Sequence, residues 1–140
     1  MTTNTAGTAA RQLSFQAVHY FRKGITYATT GIGTAATVEV GTLPSGAVVL
    51  FTLVQVTEAF NDGSNDDAID VGTSSNNDAY VDSTNNDCDP ETVGGYTVFR
   101  GTDVTHSADT VVYVTYTGTS GDATTGAAEI IMAYVVDNDS

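Results

Sequence analysis

The side chains best suited to chemistry gather in one acid-rich tract. NDGSNDDAIDVG, residues 61–72, holds four aspartates, two asparagines and a serine between two apolar runs, and SSNNDAYVDSTNNDCDPE continues it at 74–91. Oxygen ligands at this density suit a hard cation such as calcium. An EF-hand loop started at Asp62 has Ser64 and Asp66 at its third and fifth positions. It then has Asp67 where a glycine is required and Thr73 where a bidentate glutamate is required. The calcium-binding β-roll repeat needs closely spaced glycines, and Gly63 stands alone before Gly72. Two readings remain. One is a loop-built ion site drawing on Asp62, Asp66, Asp82, Asp87 and Asp89, with Glu91 beside them; the other is a well-solvated acidic rim. The failed spacings favour the rim, and no cofactor is expected.

Little in the chain resembles a catalytic set. The two histidines are His19 and His106. HSAD (106–109) places a serine and an aspartate beside His106, but a triad is assembled by spatial geometry and not by adjacency. HSAD reads better as a turn leading into a strand at Thr110. Nucleophile elbow, phosphate-binding loop, HExxH pair and CxxC are all missing. Glu39 and Glu58 are isolated, and GIG (31–33) lacks the strand-turn-helix context of a dinucleotide fingerprint. Cys88 is the only cysteine, so no intrachain disulfide forms, and its flanking aspartates raise the thiol pKa. A non-enzymatic protein is expected.

Charge narrows the partners. Seventeen acids against four Lys and Arg give the 140-residue chain a net charge of -13. Residues 1–38 hold Arg11, Arg22 and Lys23 and no acid, whereas residues 39–140 hold all seventeen acids and Arg100 alone. A cationic start on an anionic body invites docking of one subunit's start onto a neighbour. Phosphates would be repelled by the body, so nucleic acid is disfavoured. The chain has no run of eighteen apolar residues and no basic-then-apolar leader, so a soluble, unexported product with no membrane partner is expected.

Thr, Val, Gly, Asn and Asp dominate, and they favour pleated sheet and turns over helix. Strands are expected at 13–20, 36–40, 47–57, 67–71, 78–82, 95–99, 110–117 and 128–136, about as many as a jelly roll needs. The expected fold is all-β: a single jelly-roll-like sandwich of about eight strands. Residues 1–27 would form an extended N-terminal arm and first strand, and 28–140 the body. Asp62-Gly63 would turn a hairpin between the strand closed by Phe60 and the strand holding Ile69 and Val71.

Two runs are apolar on both faces. In 47–57, parity puts Val48, Leu50, Val54 and Val56 opposite Val49, Phe51 and Leu53; in 128–136, Ile130, Met132, Tyr134 and Val136 oppose Ile131, Ala133 and Val135. A strand apolar on both faces needs a cover on each; the outer one could be a loop such as 83–95, the N-terminal arm or a second subunit, and the last is favoured. HYFRKGITY (19–27) sets aromatic anchors around an Arg-Lys pair, which reads either as an edge strand or as an adhesive arm.

At residues 39–81 the chain resembles a block found in virion structural proteins of tailed bacteriophages. The block's elements stand here as VGTLPSGA (40–47), VTEAFNDG (56–63) and IDVGTSSNNDAY (69–80). TGTSGDATTGAAEIIMAYV (117–135) resembles the same group's last hairpin. The resemblance implies a small capsid decoration, or cement, protein, often trimeric, that binds the major capsid protein on the outer surface of the virion after synthesis in the host cytoplasm. The alternative is a phage tail or fibre β-domain that binds calcium or a host glycan. On the leading reading, the subunit or capsid interface would comprise Arg11, Tyr20, Phe21, Arg22, Lys23, Tyr27, Val49, Phe51 and Leu53.

Overall fold

Runs rich in β-branched and aromatic residues become strands where neighbours complete their hydrogen bonds and cover their side chains. The computed structural model describes residues 17–29, 36–64, 66–99 and 106–136. Within them run seven strands: β1 His19–Thr26, β2 Ala36–Leu43, β3 Val48–Asn61, β4 Ala68–Gly72, β5 Gly94–Val98, β6 Thr110–Thr117 and β7 Thr125–Val135. They pair into two antiparallel sheets, ordered β1-β7-β3-β5 and β2-β6-β4. The protein is therefore an all-β sandwich.

Its strand order is that of a jelly roll whose strand between β4 and β5 has shrunk to one bridge, Val71 to Val81. This is the strand expected at 78–82. Tyr80 and Val81 are neighbours in sequence and both are buried, so the alternation that a strand requires is lost. Asp82 then ends the extended path by accepting the Thr84 amide at 2.8 Å, which caps a short 3-10 turn at Ser83–Asn85.

The core lies between the sheets. Across the larger sheet, Phe21, Met132, Thr52 and Val98 share one inward rung, and Ile25, Ala128, Val56 and Gly94 share another. Opposite them Ile69, Val71, Val112, Val114 and Tyr116 are buried from the smaller sheet, and the Phe60 ring stacks on Tyr116 with centroids 5.2 Å apart. Thr52 is wholly buried with its hydroxyl unpartnered. A near-isosteric apolar side chain removes that uncompensated burial, so Thr52→Val should raise stability by about 1 kcal/mol, read from chemical denaturation. An unchanged or lowered midpoint would show that the hydroxyl is satisfied.

Three sequence expectations change. Parity along 47–57 is reset by a bulge between Val49 and Phe51. Val49 consequently joins Thr52, Val54 and Val56 in the core, while Phe51, Leu53 and Gln55 point outward. Val49 is thus a core residue and not an interface residue. Of the strand expected at 13–20, residues 13–16 lie outside the described residues; the first strand among the described ones runs His19–Thr26, paired along its whole length with β7, with Ile25 sealed inside. Residues 19–26 are part of the sandwich. Finally, 61–72 is no hairpin: β3 and β4 belong to different sheets, so the tract carries the chain from one sheet to the other.

Candidate interaction face and acidic rim

The outer surface of the four-stranded sheet is built rung by rung from strand pairing. Tyr20, Ala133 and Phe51 form one rung, and Arg22, Ile131, Leu53 and Thr97 the next. Gly24, Glu129, Gln55 and Gly95 form the third. The first two rungs are largely apolar and the third is polar. Phe99, just beyond β5, extends the apolar end: it is 69% exposed and its ring lies 6.2 Å from that of Phe51. Tyr20 is 61% exposed. Arg22 is held across the face by Glu129, with Nε to Oε1 at 2.7 Å and Nη2 to Oε2 at 2.6 Å. This two-pronged contact fixes the guanidinium plane, raising the Arg22 pKa and lowering that of Glu129.

The structure sorts the expected interface residues into groups. Tyr20, Arg22, Phe51 and Leu53 share this face. Phe21 turns inward, its ring over Gly41, where an added Cβ would lie 3.1 Å away, and beside Tyr134 at 5.7 Å. Lys23 is exposed on β1, the edge strand of this sheet among the described residues, and Tyr27, 43% exposed, lies in the turn after it. Val49 is in the core. Arg11 lies outside the described residues. The interface set omitted Ile131, Ala133 and Phe99, although the two-faced pattern of 128–136 signals the first two. Phe99 gave no such signal, because nothing local marks it as leaving β5 exposed.

The acidic rim is built differently from an ion cage. Asp62 accepts from the Ser64 amide and hydroxyl at 2.9 and 2.6 Å and from the Ser120 amide at 2.8 Å. The Ser64 hydroxyl, then the Ser120 amide, hold its carboxyl far below the usual range. Asp66 competes for the same Ser64 hydroxyl, whose single proton the two carboxylates share. Asp82 caps the 3-10 turn, Asp87 accepts the Asp82 amide at 3.0 Å, and Asp89 accepts the Glu91 amide and the Thr92 hydroxyl at 3.0 and 2.8 Å. These five acids are engaged in fixing loop backbone and hydroxyls, and Asp62 also ties its segment to the loop at Ser120. Among the described residues no three acidic, histidine or cysteine side chains form a ready metal cage.

One acid behaves otherwise. Asp67 is 8% exposed and neither carboxylate oxygen has a hydrogen-bond partner. Burial pushes its pKa up to about 6. Its parity with Ile69 and Val71 is the sequence signal that it turns inward while Asp66 turns out. A carboxyl raised from 3.8 to about 6 on folding stabilises the fold fully below the lower value and loses that contribution as pH rises through the upper one. Without divalent cations, Asp67→Asn should therefore gain stability on the wild type as pH rises from about 4 to 8. A constant difference across that range would contradict the shift.

The remaining candidates take no catalytic form. His106 is buried, its Nε2 lies 2.9 Å from the Tyr80 hydroxyl, and burial lowers its pKa. Asp109 instead accepts the Ser45 amide at 2.9 Å, and the Ser45 hydroxyl donates to the Ser107 carbonyl at 3.1 Å. HSAD is thus a clamp on the 44–47 turn, ahead of β6. Cys88 is buried and its thiol is pushed up to about 12 by burial and its acidic neighbours, leaving no thiolate at neutral pH.

No protein-family profile and no curated protein sequence matches the chain. Solved structures do. A chain of the cyanophage Pam1 capsid asymmetric unit superposes with a TM-score of 0.72 at 18% identity, over 96% of this chain and 95% of that one. A chain of the Ralstonia phage GP4 capsid gives 0.60 at 17% identity, over 94% and 92%. A chain of the acidic stable capsid of Helicobacter pylori bacteriophage KHP30 gives 0.58 at 13% identity, over 87% and 90%. The shared property is the fold, across nearly the whole length of each chain.

Proposed function

We propose that this protein is a non-enzymatic structural component of a bacteriophage virion, a decoration or cement protein that attaches to the outside of the capsid and stabilises it. The observation that carries the reading is the outward apolar face of the β1-β7-β3-β5 sheet. Ala133 is fully buried there, with Phe51, Leu53 and Ile131 around it and Tyr20 and Phe99 standing proud at either side. Aromatic residues flanking an aliphatic centre make a surface suited to a protein partner. The fold-level likeness to chains of three phage capsids gives that surface a setting.

On this reading two or three copies associate through the sheet face, with a homotrimer the expected state and the major capsid protein the further partner. The cationic start of the chain, with Arg11, reaches a neighbouring acidic surface. The test is sedimentation of the purified protein with phage heads that lack it. Saturable co-sedimentation that raises the heads' thermal stability is expected. Failure to bind heads, with binding to isolated tails instead, would overturn it.

A second reading is a tail or fibre domain that binds a host glycan, and one observation favours it. A cavity of about 570 Å³ is lined by Thr73, Ser75, Asn76, Tyr80, His106 and Tyr113 among others. Binding of the protein to host-cell polysaccharide, lost in Asn76→Ala, would favour that alternative.

A further inference from the structure

The corner where β3 hands the chain to β4 contains a defect that the rest of the fold does not explain. Both Asp67 oxygens and the Tyr116 hydroxyl are buried without a partner at full hydrogen-bond geometry, although the two lie close enough to shift each other's pKa. The groups acting on the Asp67 carboxyl are the Tyr116 hydroxyl and the carboxylates of Asp62 and Glu91; none is cationic. Glu91 is fixed close by, its Oε1 accepting the Asp67 amide at 2.8 Å. Asp67 and Glu91 line one side of a cavity of about 420 Å³ with Asp66 and Asp89. A buried carboxylate with no partner is costly unless a proton or a cation compensates it.

We propose that Asp67 anchors a divalent-cation site of the calcium type, closed by Asp62 and Glu91 from either side. The ligand chemistry fits. Three carboxylates supply hard oxygens and formal charge, calcium accepts six to eight oxygens in loose geometry, and carbonyls and water complete the shell. The three acids come from three segments: Asp62 from just beyond β3, Asp67 from just before β4, and Glu91 from the loop ahead of β5. They do not yet meet as a cage, so the ion would draw them together and lock the crossover between the sheets. This site shares Asp62 with the rim but is centred on the buried Asp67, and its occupancy does not depend on what the outer sheet face binds.

Thermal unfolding of the full-length chain tests the proposal, in chelator and in calcium on the order of 1 mM at matched ionic strength. For the wild type, calcium should raise the melting temperature by about 5–10 °C once it exceeds Kd a hundredfold. Asp67→Asn should melt at or above the wild type in chelator, because it removes the unpaired charge, and should gain nothing from calcium. Glu91→Gln should need at least tenfold more calcium for the same rise, and Asp89→Asn should respond as the wild type does. A wild type unmoved by calcium would overturn the site. So would an Asp67→Asn protein that keeps the full rise, since the ion would then be held by the outer acids.

Discussion

Phe60→Ala should cost about 3–5 kcal/mol, the usual range for deleting a buried ring, and lower the melting temperature by on the order of 10–20 °C. Phe60 is 1% exposed and stacked on Tyr116. It sits where β3 leaves register with β7, between Glu58 and Asn61. That irregularity is accommodated by Gly126, whose φ of +133° suits glycine and whose missing Cβ leaves room for the Phe60 ring. An alanine there would drive its methyl into that ring and within 2.8 Å of the Phe60 Cα. Gly126→Ala should therefore destabilise by a similar amount, and the double variant by less than the sum, because Phe60→Ala removes part of the clash. Strict additivity, read from denaturation of all three variants, would show that ring and glycine are not coupled.

Leu53→Asp with Ile131→Asp should leave the monomer folded and abolish association. The two residues face each other across β3 and β7 at the centre of the outer face, each half-buried within its own subunit. In a free monomer the carboxylates would reach water at modest cost. In an interface core each would be desolvated without a partner, and loss of a central anchor costs at least about 2 kcal/mol, roughly thirtyfold in affinity. Light scattering should report a wild-type oligomer and a monomeric variant with an unchanged far-ultraviolet spectrum. A variant that keeps the wild-type mass would place the subunit contact elsewhere.

How far the sequence foretells this structure depends on where information is local. The strand at 110–117 was legible to the residue, because its inward residues Val112, Val114 and Tyr116 alternate without interruption. The face of β3 was not, since one bulge inverts parity and nothing in VVLF marks which residue bulges. The acid tract was legible as a turn but not as a sheet-to-sheet crossover, because strand pairing is decided by distant β5, β6 and β7. The two-faced runs fall on β3 and β7, and Phe51 and Leu53 stand on the outer side of that sheet. Asp67 was readable from its parity with Ile69 and Val71, a signal outweighed by the more conspicuous motif tests around it.

The proposed role is that of an outer capsid component docked through its apolar sheet face. The most direct test is an electron cryomicroscopic reconstruction of the virions that carry it. The account predicts ordered copies on the exterior of the head, with Phe51, Leu53 and Ile131 covered by a neighbouring subunit. Density confined to the tail or the head interior, or copies on the head with that face open to solvent, would contradict it.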